Sequence, residues 1–152
     1  MRFPAGKWGT RQMTFHPAPS RPPFRPFAAM VFAWDDGKAL ICNIPGRGWC
    51  IPSGRVEPNE EGIAAAEREA YEEGGVRLEE LRYMGCYQIA DRNTTLWAEA
   101  YTAKIAEFVD IPDFSESTER KMVSPEELPD VYHMWDALTL AVFNYSRTVF
   151  ER

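Results

Sequence analysis

The chain has 152 residues, 45% of them hydrophobic and 26% charged, enough for one domain with its own core and no need of disulfides or a structural metal. No stretch is long and apolar enough for a spanning helix, and the start lacks a basic segment followed by an apolar one. The expectation is therefore a cytoplasmic chain with no membrane partner. Three cysteines (Cys42, Cys50, Cys86) without C-x-x-C spacing, and only two histidines, exclude a histidine-rich metal site and read as small buried thiols of a reducing compartment.

Charge is unevenly spread. The net charge is −6, yet residues 1–30 hold five basic side chains and no acidic one, which leaves −11 on the rest. An acidic body argues against nucleic acid as a partner, because phosphate backbones need a basic face. Six of the twelve prolines also fall in residues 1–30. Residues 1–26 are thus expected to form a basic, Pro-rich arm with at most a short edge strand at Thr10–Phe15.

Two apolar runs follow, Phe27–Trp34 and Ala39–Ile44, joined by Asp35-Asp36-Gly37-Lys38, a hairpin signal. A short run, Trp49–Ile51, stops at Pro52. The Ala- and Glu-rich stretch Glu60–Glu73 predicts a helix with acidic residues in its first turn and Gly74-Gly75 at its end. Strands are expected at Arg82–Ala90, Leu96–Ile105 and Lys121–Val123, with a loop at Pro112–Thr118. Ser124-Pro125-Glu126-Glu127 reads as a helix start, and Asp136–Val149 as a last helix. The order gives an α+β class with a mixed, largely antiparallel sheet.

The helix at 60–73 carries the chemistry. Glu69, Glu72 and Glu73 stand at i, i+3 and i+4, on one arc of about 100°. Ile63, Ala66 and Ala70 fall on the neighbouring, core-facing arc, and small Gly62 and Ala65 precede the carboxylates, leaving room for a ligand. Such an arc is either a solvated acidic face, with Arg68 offsetting part of the repulsion, or a site for a hard divalent cation. All-oxygen donors select Mg²⁺, with Mn²⁺ as the alternative, over Zn²⁺.

Residues 54–76 match G-x5-E-x7-R-E-U-x-E-E-x-G-U at Gly54, Glu60, Arg68, Glu69, Glu72, Glu73, Gly75 and Val76, with Ala70 where a bulkier aliphatic is usual. This stretch resembles the box of the Nudix (MutT-like) hydrolases, and the flanks "GWCIPSGRVEPNE" and "KMVSPEELP" are similar to the segments around it. The resemblance implies an α/β/α sandwich over residues 27–152. It implies hydrolysis of a nucleoside diphosphate derivative by metal-assisted water attack, with a small nucleotide as partner. By position, Glu69, Glu72 and Glu73 would be metal ligands, Glu69 alternatively the base, and Arg68 would orient a glutamate within a network containing Glu60. Gly54 and Gly75 would shape the turns, and Ser53 would offer its backbone carbonyl to metal. A further acid is expected from Glu116, with Glu119 as the alternative.

For the substrate, Phe27, Trp49, Tyr87 and Tyr132 are candidates to stack on a base, and Arg25 and Arg47 to hold phosphate or ribose. Each equally fits a core or surface role. No Pro or Tyr stands 15–16 residues past the box, and no SQPWPFPxS-like array is present. The reading favours a (d)NTP pyrophosphohydrolase over an ADP-sugar or dinucleoside polyphosphate hydrolase, or a non-catalytic nucleotide-binding module. Homodimers are common among such proteins, and a homodimer is one arrangement open to this chain. No P-loop, dinucleotide fingerprint or serine-nucleophile motif competes.

Overall fold

A computed structural model describes residues 2–152. In chain order the elements are β1 (Gly6–Trp8), β2 (Arg11–Pro17), β3 (Ala28–Asp35), β4 (Lys38–Ile44), β5 (Gly48–Cys50), β6 (Ser53–Arg55), α1 (Gly62–Gly74), β7 (Val76–Ala90), β8 (Thr95–Phe108), β9 (Glu119–Val123), α2 (Leu128–Val131) and α3 (Ala137–Phe150). The strands make a single sheet in the order β1-β2-β7-β8-β3-β4-β5, with β6 paired to β3 and β9 to β4. Only β3 and β8 run parallel; the other pairings are antiparallel. The mixed, largely antiparallel α+β architecture follows.

Hairpin β3–β4 pairs only at its tip, through Trp34–Ala39 and Asp35–Lys38. Beyond the tip the two strands part: β3 takes β6 along its edge, while β4 takes β5 on one side and β9 on the other. This divergence seats the segment just before α1 directly on the sheet.

The period-2 geometry of β3 divides the core in two. Ala29, Val31 and Ala33 face α1, packing with Leu40, Ala65, Ala66, Ala70, Val76 and Tyr101. Phe32 and Trp34 face α3, packing with Ile41, Leu138, Val142 and Phe143. Small residues dominate beneath α1, so the helix lies close to the sheet. Ala70, where the box usually has a larger side chain, is fully buried there. On the α3 side, Trp34 Nε1 donates to Ser146 Oγ at 3.3 Å, and Thr102 Oγ1 donates to the Ser146 carbonyl at 3.1 Å.

Several expectations change. The N-terminal segment is no loose arm with one short edge strand: β1 and β2 form a hairpin, and β2 pairs with β7 from Gln12–Ala90 to Pro17–Gly85. Its aromatic residues drive this. Phe3 and Phe15 pack edge to face against each other at 4.8 Å, and Phe15 against Tyr87 at 5.1 Å. Helix α1 begins at Gly62 rather than Glu60, so Glu61 is its N-cap and Glu60 lies in the preceding loop. Strand β7 starts six residues before the expected Arg82, and its register shifts around Glu79 and Gly85 absorb the charged stretch that hid it. At Ser124–Glu127 the Glu127 carboxylate accepts from the Ser124 N–H and hydroxyl, a turn that leads into α2 at Leu128. No helix among the described residues is long and apolar enough to cross a membrane.

Asp136 caps α3, its Oδ1 accepting from Thr139 N–H at 2.8 Å. Asp136→Ala is expected to cost about 1 kcal/mol, read as a lower urea midpoint at unchanged slope.

Candidate active site

Helix α1 turns its acidic residues towards the loop that precedes it. Arg68 stands at the centre. Its Nε donates to Glu60 Oε2 at 2.8 Å and its Nη2 to Glu60 Oε1 at 3.0 Å, a bidentate pair. Nη1 reaches Glu69 Oε1 at 2.8 Å and Glu72 Oε2 at 3.1 Å, and Nη2 also donates to the Arg55 carbonyl at 2.9 Å. One guanidinium thus ties three carboxylates to the 55–60 loop. The Arg68 bonds hold the Glu60 carboxyl below its usual pKa, and the same bonds hold Arg68 protonated.

Glu69 and Glu73 are buried, at 9% and 8% exposure, while Glu72 stands nearer solvent. Burial raises the pKa of both, against the lowering effect of Arg68 at Glu69 and of the Ser53 N–H at Glu73; their mutual repulsion raises Glu73 further. Glu73 is pushed up to about 8. Its Oε1 accepts from the Ser53 N–H at 3.0 Å. The present position of the Glu69 carboxylate depends on the bare Cα of Gly54: a Cβ there would lie 2.2 Å from Glu69 Oε1 and displace it. Gly75 closes the helix in the left-handed region at φ 61°, its N–H donating to the Tyr71 carbonyl at 3.0 Å. Arg120 on β9 then donates to the carbonyls of Gly74, Gly75 and Val109, fixing that end of the helix.

A cavity of about 390 Å³ opens on the other side of β6. Trp8, Phe27, Tyr87, Tyr132 and Phe143 give it aromatic walls, with Arg47 and His133 among its polar groups. Ser53, Gly54 and Arg55 line it too. The same short strand therefore touches the cavity with one part and the buried glutamates with another.

The expected substrate contacts are only partly gathered. Phe27, Arg47, Tyr87 and Tyr132 line the cavity. Trp49 is not part of that wall; Lys121 Nζ sits over its ring, 4.5 Å from the centroid. Arg25 is committed elsewhere, its Nη2 donating to the carbonyls of Glu57 at 2.6 Å and Glu60 at 3.0 Å, which pins the loop before α1. Gly62 and Ala65 leave no open space beside the carboxylates: Ala65 is buried against the sheet, and Glu99 Oε1 lies 1.8 Å from where a Gly62 Cβ would be. Ile63, expected in the core, is 45% exposed. Glu116 is exposed in the β8–β9 loop, and Glu119 is exposed at the start of β9, opposite Asn43. Trp8, His133 and Arg55 were not among the expected cavity residues. They come from segments far apart in the chain, and only the aromatic character of Trp8 hinted at a role.

The donor set fits a hard divalent cation in kind: carboxylate oxygens, two of them buried and repelling each other, beside a glycine with no room for a side chain. Among the described residues no three acidic, His or Cys side chains already converge as ligands, because Arg68 and the Ser53 amide hold them. Ser53 lies in strand conformation, paired with Met30, so the serine imposes no backbone penalty at this position.

The fold and site define an α+β sandwich that presents a glutamate-rich helix beside an aromatic cavity. A NUDIX domain family model matches residues 24–143, and the chain belongs to the Nudix family. Over 94 residues it is 34% identical to a Bacillus subtilis (strain 168) protein named, provisionally, 8-oxo-dGTP diphosphatase YtkD; the match covers 62% of this chain and 58% of that relative. Among solved structures, a variant of the B. subtilis pyrophosphohydrolase BsRppH superposes with a TM-score of 0.77 at 24% identity, covering 97% of this chain and 95% of that one. A Nudix hydrolase from Nitrosomonas europaea superposes at 0.66 with 21% identity, covering 85% and 92%. At these identities the superpositions bear on the fold alone.

The buried acid gives a pH test on metal-free protein. Between pH 4.5, the ordinary carboxyl value, and about 8 the unfolded chain loses the Glu73 proton while the folded chain keeps it. Stability is therefore expected to fall as pH rises across that window and to level off above it. Glu73→Gln should flatten this slope in denaturation series run with EDTA. Equal slopes in both proteins would mean that Glu73 is not protonated in the fold.

Proposed function

We propose that this protein is a metal-dependent nucleotide pyrophosphohydrolase, cleaving a (d)NTP to a nucleoside monophosphate and pyrophosphate. The observation that carries the reading is the shared β6 segment: Ser53 and Gly54 wall an aromatic cavity and also touch Glu73 and Glu69. A ligand with a flat apolar end and an anionic end spans the two. The name borne by YtkD, a diphosphatase, supports this class.

In this reading the aromatic cavity takes the base by stacking and apolar contact, and Arg47 and His133 lie at its polar side. Glu69, Glu72, Glu73 and the Ser53 carbonyl hold Mg²⁺, or Mn²⁺ in its place, with a further acid from Glu116 or Glu119. The metal supplies charge neutralisation at the phosphoryl oxygens and lowers the pKa of water. Binding a diphosphate beside these acids without a cation is implausible, since two unit charges 4 Å apart repel by about 4 kcal/mol at an effective dielectric of 20. Glu69 is either one of the metal ligands or, with a pKa that burial raises, the base that accepts the proton of the attacking water. Arg68 keeps Glu69 and Glu72 oriented and anchors them to Glu60. The three free cysteines are in keeping with a reducing, cytoplasmic setting, and the acidic net charge with a small nucleotide rather than a polymer as partner.

A panel of nucleoside triphosphates, ADP-sugars and dinucleoside polyphosphates, assayed with Mg²⁺ and Mn²⁺ and read for both products, tests the proposal. Monophosphate plus pyrophosphate from triphosphates is expected. Turnover confined to ADP-sugars or dinucleoside polyphosphates would replace this substrate class. Binding without any turnover would make the protein a nucleotide-binding module. Glu69→Gln and Glu73→Gln are each expected to lower kcat by about 100-fold or more while the fold survives. An unchanged rate in either would remove that residue from the mechanism.

A further inference from the structure

Strands β4 and β5 place two cysteines face to face. Cys42 and Cys50 are directly opposed partners in the antiparallel ladder, and neither is in a disulfide. Each thiol reaches towards the other strand: Cys42 Sγ donates to the Cys50 carbonyl at 3.3 Å, and Cys50 Sγ lies 3.9 Å from the Cys42 carbonyl. Opposed residues of such a ladder have Cα atoms about 4.5–5.5 Å apart. A disulfide spans Cα separations of about 4.4–6.8 Å. The register therefore places the two residues within the Cα span of a disulfide. The third cysteine, Cys86, lies on β7 between His16 of β2 and Glu99 of β8, in another part of the sheet.

The two thiols differ in surroundings. Both are buried, but Cys42 is fully enclosed, whereas Cys50 is one of the residues that wall the aromatic cavity. The Cys42 thiol and the Arg47 guanidinium, whose Nη1 is 4.0 Å from Cys50 Sγ, pull the Cys50 thiol down against the opposing effect of burial. The bond to Cys50 and burial push Cys42 up. Thiolate character therefore concentrates on Cys50.

We infer that Cys42 and Cys50 are an oxidation site, a dithiol that a peroxide converts to a reversible cross-strand disulfide in the cavity wall. The Cys50 thiolate attacks one peroxide oxygen, the O–O bond breaks, and a sulfenic acid forms as hydroxide leaves and takes up a proton to become water. The Cys42 sulfur then attacks the sulfenic sulfur; its S–H proton and the sulfenic hydroxyl depart as the second water. Two thiols and one hydrogen peroxide give one disulfide and two waters, the sulfurs losing two electrons and the peroxide gaining them. A dithiol reductant reverses the change. Nothing in this chemistry depends on what the cavity binds, so it stands or falls apart from the nucleotide reading.

The test is hydrogen peroxide treatment of the full chain, followed by intact mass, thiol titration and peptide mapping. The monomer is expected to lose about 2 Da and two of its three free thiols, to yield a peptide linking Cys42 to Cys50, and to recover with dithiothreitol. Cys86→Ser should behave as the wild type. Cys42→Ser should show no 2 Da loss and give a dimedone adduct on Cys50, the trapped sulfenic acid. Three thiols retained in the wild type, a linkage through Cys86, or a disulfide-joined dimer would each overturn the inference. The wild-type measurement decides the matter even if a variant fails to fold.

Discussion

Three of the site's four glutamates depend on one guanidinium, that of Arg68. Glu69 and Glu73 are buried on a helix whose other face is pressed to a sheet, and Glu60 and Glu72 stand beside them. Like charges so placed repel, and burial adds the loss of water to that repulsion. Arg68 answers both demands at Glu60, Glu69 and Glu72, while the Ser53 N–H serves Glu73. Its fork grips Glu60 with two hydrogen bonds and spends the remaining donors on Glu69, Glu72 and the Arg55 carbonyl. A lysine has the charge but not the planar fork, and would leave part of this set unpaired. The loop at 55–60 keeps its shape because it is bonded to the helix whose charges it helps to neutralise. Arg25 braces the same loop from the N-terminal side.

The scaffold holds this cluster in place by close approach. Ala65, Ala66 and Ala70 on the helix meet Ala29, Ala33 and Ala103 on the sheet, so α1 sits low over β3 and β8. A helix that low brings Glu69 against the bare Cα of Gly54 and Glu73 within reach of the Ser53 amide. Ala70 therefore has a positive reason in this chain: it belongs to a set of alanines that trades side-chain volume for proximity. Arg120 secures the far end, where Gly75 turns the chain back into the sheet.

The parts of this arrangement that were legible in the sequence are those set by local spacing. Glu69, Glu72 and Glu73 share a face because 100° per residue puts them there. The ends of α3 followed from Asp136 and its apolar stripe, and hairpin β3–β4 from its Asp-Gly turn. What stayed hidden was set by distant partners. The spacing of Gly62 and Ala65 suggested vacant room, but Glu99, 37 residues later in the chain, fills it. Prolines argued against order in the first 26 residues, yet Phe15 and Phe3 bring that segment into the core. Arg25 is chemically suited to an anion, and it is engaged by two backbone carbonyls that no sequence pattern announces. The cavity was illegible for the same reason, since its wall draws on the N-terminal hairpin, β3, β6 and the segment after α2.

The division of labour across β6 sets a requirement on any ligand. One side of that strand is aromatic and holds Arg47 and His133; the other holds buried carboxylates. An anion alone makes no use of the aromatic walls and meets the repulsion of the glutamates, while a flat apolar molecule alone leaves the acidic side unused. Under the proposed function, a molecule carrying both ends, together with a cation between its charge and the acids, would gain on both sides of the strand. In the proposed reading such a cation would find one oxygen on each of Glu69 and Glu72 that Arg68 does not bond, since Arg68 takes Glu69 Oε1 and Glu72 Oε2 and keeps its bidentate grip on Glu60. Glu60, outside the helix and doubly bonded, ties Arg68 and therefore α1 to the loop independently of the two helix glutamates.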